Sequence, residues 1–209
     1  MPNHVYSNVK ISGDSEDLAK FVSMAKKDGE WDINELYRNP LSNFTSPVRI
    51  VAQEEYDAAM KKLEEWKASG EPFFFTGLPM TLEMQENFIK SYGTANWYHW
   101  ANQHWGSKWG IYEIEMESEE PEEITLRFQT AWTPAKGLWK KVSEFFPSLR
   151  FVTEYVDEGG FFCGTETYES GVAEGEDMDV DSEEGKIICE SVGCTFSDAE
   201  EESEEGDSQ

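Results

Sequence analysis

The chain has 209 residues, with 43 acidic against 17 basic side chains and a net charge of −26. That balance excludes binding duplex nucleic acid through the excess charge, because such affinity comes from cations that neutralise phosphates. No apolar run approaches the roughly 20 residues a membrane span needs, and MPNHVYSNVKI lacks the features of a signal peptide, so the expected compartment is the cytosol.

The charge is uneven. Residues 1–160 hold 16 basic and 26 acidic groups, whereas residues 161–209 hold only Lys186 against 17 acidic ones. Three cysteines (Cys163, Cys189, Cys194) cannot all pair within one chain, which fits a reducing compartment. The spacing of Cys189 and Cys194 is wrong for a structural zinc site. His99 and His104 do not share a helical face as a metal pair would. No metal and no cofactor is expected.

In chain order, HVYSNVKISG alternates as a first strand. Leu18, Phe21, Val22 and Ala25 then form an apolar stripe at helical spacing, capped by Asp14 or Ser15 and ending near Gly29. Residues 31–47 are irregular, with a short strand before Pro40. A helix is predicted over 53–69 with Tyr56, Ala59, Met60, Leu63 and Trp66 inward, stopped by Gly70. Phe73, Phe74 and Phe75 follow as a core plug. Thr81 caps a third helix with Leu82, Gln85, Phe88, Ile89 and Tyr92 buried.

Residues 93–110 read GTANWYHWANQHWGSKWG and hold four of the eight tryptophans. Trp97, Trp100, Ala101 and His104 fall on one helical side with Trp105 at its edge, and Gly106 suits the left-handed residue that ends a helix. A hairpin follows. Tyr112, Ile114 and Met116 alternate with Glu113, Glu115 and Glu117, one face apolar and the other acidic. Glu119, Glu120, Glu122 and Glu123 lie in the turn, and Ile124, Leu126 and Phe128 return. Thr133 and Pro134 open a helix through Leu138, Trp139, Val142, Phe145 and Phe146. Strands are predicted at 149–155 and, after Gly159–Gly160, at 161–168.

Beyond Gly171 the composition turns acidic and poor in apolar residues, so residues 171–209 are expected to form a largely disordered tail with one short strand at 186–192. The order of elements over 1–170 predicts an α+β fold. It is a ferredoxin-like split βαβ sandwich with a helical insertion (about 50–108) between the first helix and the second core strand.

Met-Pro-Asn at 1–3, Ser7-Asn8, NWYHWANQHWGSKW at 96–109, TAWTP at 130–134, FFPSL at 145–149 and the later EYVDEGGFFCGTETYESG occur in one order. Together they resemble the YubB ferredoxin-like family of phages and conjugative plasmids. His4 and Val5 stand where its members have Trp-Cys. The resemblance implies the ferredoxin-like fold and a mobile genetic element acting inside a bacterial cell. It implies no particular activity.

Two functional readings compete. No P-loop, serine elbow, dinucleotide fingerprint or HExxH pair is present, so no enzyme is expected. In the first reading, Glu113, Glu115, Glu117, Glu119, Glu120, Glu122 and Glu123 imitate nucleic-acid phosphates and bind a basic host protein such as a nuclease, restriction or CRISPR component, inhibiting it. In the second, Asn96, Trp97, Trp105, Gly106, Lys108, Trp109 and Trp132 stack a nucleotide or single-stranded base and hold its phosphate. The same tryptophans also serve as a hub that locks the insertion onto the sheet, with Trp132 meeting Trp97 and Trp105.

Overall fold

The computed structural model describes residues 3–70 and 76–194. The phenylalanines at 73–75, the first two residues of the Met-Pro-Asn motif and the acidic run after Ser197 lie outside these. Strand β1 (His4–Gly13) leads into α1 (Ser15–Met24), and the Asp14 carboxylate caps the helix by accepting from the amides of Glu16 and Asp17. Helix α1 stops before Gly29 because β2 (Lys26–Lys27) turns back on β3 (Glu30–Trp31). Asp28 and Gly29 both have positive φ, as a two-residue primed turn requires. The strand expected before Pro40 is instead a 3₁₀ turn over Ile33–Tyr37.

The insertion comprises β4 (Ile50–Val51), α2 (Gln53–Ser69), β5 (Met80–Thr81), α3 (Leu82–Tyr92) and α4 (Trp97–His104), with β4 and β5 pairing in parallel. Helix α2 ends at left-handed Gly70 as predicted, but its apolar stripe is only half-buried. Thr81 caps α3 through its hydroxyl. Of the positions expected to be buried there, Leu82, Ile89 and Tyr92 are exposed, while Gln85 and Phe88 are half-buried.

The remaining elements are β6 (Tyr112–Glu120), β7 (Glu123–Ala131), α5 (Lys136–Phe145), β8 (Leu149–Asp157), β9 (Cys163–Glu169), β10 (Val172–Met178) and α6 (Glu183–Ser191). The sheet order is β10-β9-β8-β1-β7-β6, antiparallel throughout. Its β8-β1-β7-β6 portion, with α1 and α5, is the ferredoxin-like βαββαβ arrangement. Helix α5 starts two residues later than the Thr133–Pro134 pair suggests, because the Thr133 hydroxyl donates to the Gly106 carbonyl rather than capping the helix.

One core lies between the sheet and helices α1, α4 and α5. Trp139 sits between Phe128 and Phe151, with ring centroids 5.7 and 5.8 Å away, and Phe21 of α1 meets Phe146 and Phe151 edge-on. Phe145, expected inward, is exposed. Residues 172–191 are not the start of a disordered tail. Strand β10 extends the sheet, and the predicted strand at 186–192 is helix α6 instead. Helix α6 packs Ile188, Cys189 and Val192 on Val156 and Cys163 of the opposite sheet face. A polar seam fastens it: Asn8 Nδ2 donates to Glu154 Oε2 (3.2 Å) and to the Ser191 carbonyl (3.4 Å), and the Ser191 hydroxyl donates to Glu154.

Candidate functional site

Strand β6 carries the predicted acidic face on a sheet edge. Two register shifts against β7, between Tyr112 and Glu115 and between Met116 and Ser118, break the simple alternation. Glu113 has φ +51 within the first irregularity. Residues paired across strands share a face. Tyr112 opposite Gln129 and Glu115 opposite Arg127 therefore point away from α1 and α5, on the face that carries α6. Met116 opposite Leu126 and Glu119 opposite Ile124 lie on the helical side. The predicted separation into one apolar and one wholly acidic face is corrected on this point.

Partners divide the seven carboxylates. Glu117 pairs with Arg127 Nη2 at 2.6 Å, Glu123 with Lys10 at 3.1 Å, and Glu113 accepts from Gln129 Nε2 at 2.7 Å. Glu115, Glu119, Glu120 and Glu122 have no ion pair among the described residues.

The aromatic stretch divides as well. Asn96 is spent as the cap of α4, its side chain accepting from the amides of Tyr98 and His99. Trp100 and Trp105 are buried and Trp97 is half-buried. Trp105 Nε1 donates to the Tyr37 carbonyl at 2.7 Å, and Trp100 stacks on His104 with centroids 4.5 Å apart. Gly106, at φ +81, closes the helix. Beneath it a Cβ at Gly137 would sit 2.3 Å from the His104 carbonyl oxygen, so α5 approaches α4 backbone to backbone. Gly137→Ala is expected to cost about 1–3 kcal/mol, read as a lower denaturant midpoint; an unchanged midpoint would mean the two helices are free to separate.

Trp97 packs half-buried against the core, and no base can reach the two buried indoles, Trp100 and Trp105. Lys108, Trp109 and Trp132 remain at the surface. Trp132 is 50% exposed, holds φ +72, donates its amide to the Asn3 carbonyl, and makes no ring contact with Trp97 or Trp105 among the described residues. Lys108 Nζ stands 4.5 Å above the Trp109 ring. Trp109 meets Tyr112 edge-on (6.1 Å), Tyr112 meets His4 edge-on (6.0 Å), and the Tyr112 hydroxyl hydrogen-bonds His4 Nδ1 at 3.0 Å. Burial, followed by the charges of Glu113 and Glu158, pushes the Tyr112 phenol up to about 12, so it is neutral at pH 7. Sequence reasoning missed His4, Tyr6 and Glu158 as neighbours of this ring, because only the registers of β1 with β7 and β8, and of β6 with β7, bring them there.

Against this geometry the comparisons with known proteins bear on the fold. Residues 111–206 match the family model of the ferredoxin-like domain in Api92-like protein. The match runs from β6 through α6, so it takes in the part of the chain expected to be a tail. At this coarser level the ferredoxin-like kinship stands; the matched family is the Api92-like one rather than YubB. A crystal structure of the protein api92 from Yersinia pseudotuberculosis is similar, with a TM-score of 0.48 and 11% identity, covering 87% of this chain and 99% of that one. No curated protein matches.

Within the ferredoxin-like domain a second polar cluster serves packing. Tyr155 donates to Asp177 Oδ1 at 2.6 Å, and Lys136 Nζ reaches Glu166 (2.9 Å) and Asp177 (3.5 Å) while lying over the Tyr155 ring. The hydrogen bond from Tyr155 holds the Asp177 carboxyl below its ordinary value. The cluster ties β10 to α5. Cys163 and Cys189 are buried together, and burial pushes both thiols up, that of Cys163 to about 11, which makes them poor nucleophiles at neutral pH. No group of metal-binding side chains occurs among the described residues, and no helix there is long and apolar enough to cross a membrane.

Proposed function

We propose that this chain is a non-enzymatic binding protein that engages and inhibits a basic, nucleic-acid-binding protein, its carboxylates standing in for phosphates. The observation that carries this reading is the division of the β6 carboxylates. Those beside Lys10 and Arg127 are neutralised, whereas Glu115, Glu119, Glu120 and Glu122 are exposed without an ion pair among the described residues. Charge on an edge strand also blocks edge-to-edge pairing. Glu120 and Glu122, at the strand tip and in the turn, exceed that need. A nuclease or restriction component is a fitting target, because its groove is built to hold closely spaced phosphates.

Converting Glu115, Glu119, Glu120 and Glu122 together to glutamine is expected to weaken capture of such a protein about 100-fold at low salt, since steered electrostatic association dominates there. Raising the salt should weaken the parent chain in the same sense. Capture from a bacterial lysate that recovers no nucleic-acid-binding protein, or that is indifferent to the four substitutions, defeats the reading.

A second reading, a nucleotide or single-strand binding module, is favoured by one observation: half-buried Lys108 forms a cation–ring pair with exposed Trp109. It has lost Trp105 to the core and half of Trp97, and Glu113 flanks what remains. Tryptophan fluorescence that stays flat on titration with nucleotides and oligonucleotides would dispose of it.

A further inference from the structure

We propose that Trp109, Tyr112 and His4, flanked by Glu113 and Glu158, form a receptor for arginine side chains of the basic partner; this rests on the reading above and names what the partner presents. The three rings form a continuous run on the sheet face opposite α1 and α5, with successive centroids 6.1 and 6.0 Å apart. Trp109 remains 41% exposed although its neighbours Ser107 and Gly110 are buried. The rings lie at the start of β6, so the patch continues directly into the unpaired carboxylates.

The sign of the ligand follows from the surroundings. Glu113 and Glu158 are exposed and lie within electrostatic reach of both Tyr112 and Tyr6, whose phenols they help to hold un-ionised. An anionic phosphate would meet these two carboxylates. A planar guanidinium would meet an indole face to stack on and carboxylates to bond.

Lys108 shows that the ring takes a cation. Its ammonium already occupies one indole face at 4.5 Å, an internal stand-in for the ligand. Lys108 and the incoming arginine therefore compete, which reverses the sign of its role relative to a nucleotide site. There Lys108 would hold the phosphate and its loss would weaken binding. Here its loss frees the ring and removes a like charge.

The test titrates labelled nona-arginine, nona-lysine and oligodeoxythymidylate into the full chain at low salt, followed by anisotropy. The parent chain is expected to prefer nona-arginine over nona-lysine about fivefold, Trp109→Ala to erase that preference, Trp109→Phe to keep part of it, and Lys108→Met to tighten nona-arginine about threefold. Trp109 is exposed, so its variants should keep the parent melting temperature, and a shifted one would be read through the phenylalanine variant alone. Equal binding of both peptides, unmoved by Trp109→Ala, overturns the receptor and leaves the carboxylate reading standing. Binding of neither peptide overturns both. Weakening by Lys108→Met together with oligonucleotide binding overturns the receptor in favour of a nucleotide site.

Discussion

Replacing Trp139 with alanine is expected to destabilise the protein by about 3–5 kcal/mol, the range for emptying a fully buried large aromatic site. The indole is 1% exposed and fills the space between Phe128 of β7 and Phe151 of β8, with Leu138 and Val142 of α5 beside it. These are two strands that β1 separates in the sheet, so the ring spans the central ladder, and no single neighbour can close over the hole. Domains of this size have about 5–15 kcal/mol in hand, so the variant should unfold at a much lower denaturant concentration. Trp109→Ala provides the contrast, an exposed ring whose loss should change stability by no more than about 0.5 kcal/mol. Equal midpoints for the two variants would mean that the core is not centred on Trp139.

Ending the chain at Ser170 is the second change with a large expected effect. A disordered tail can be removed without loss, but this truncation takes away β10 and α6. It uncovers Val156 and Cys163 and removes Ile188 and Val192, each contributing roughly 1.5–3 kcal/mol by burial. It also takes Ser191 from Asn8 and Glu154, and Asp177 from Tyr155. The expected outcome is a loss of about 4 kcal/mol or more, with increased binding of a hydrophobic dye. A chain ended at Cys194 keeps every described contact and should melt with the parent. If the shorter chain melted there too, α6 would contribute nothing to the fold.

The contrast between tail and folded segment shows where local reasoning works. Asp14, Thr81 and Gly70 announce helix ends through side-chain caps and a left-handed residue, which act within a few positions of themselves, and the structure keeps all three. Ile124, Leu126 and Phe128 alternate because one face of β7 is buried. Strand β10 has no such signature. Its sequence VAEGEDM lies at an exposed sheet edge, held by backbone pairing to β9 and by Asp177, so apolar patterning has nothing to record. KIICESV is short enough to suit strand or helix, and the apolar face awaiting it on β8 and β9 decides for helix.

The candidate site was half legible. Lys108, Trp109 and the β6 glutamates stand out by composition alone. The irregularities in β6 that turn Tyr112 outward, and the approach of His4 across 108 positions, are properties of strand register. Leu82, Ile89 and Tyr92 show the opposite failure, a helical stripe with no surface to meet among the described residues.

Strand β1 lies between β8 and β7 in the sheet but precedes both in the chain. Its neighbours β7 and β8, registered as His4↔Ala131 and Val5↔Asp157, are made only after the whole insertion. At about 5–20 residues per second, Val5, Val9 and Ile11 wait roughly 6–25 s before β7 is available to cover them. During synthesis the nascent chain therefore displays a strand with two open edges beside an insertion that is already complete. The centre of the sheet can close only once β7 and β8 are made, and a chaperone that shields extended apolar segments has its longest opportunity at β1.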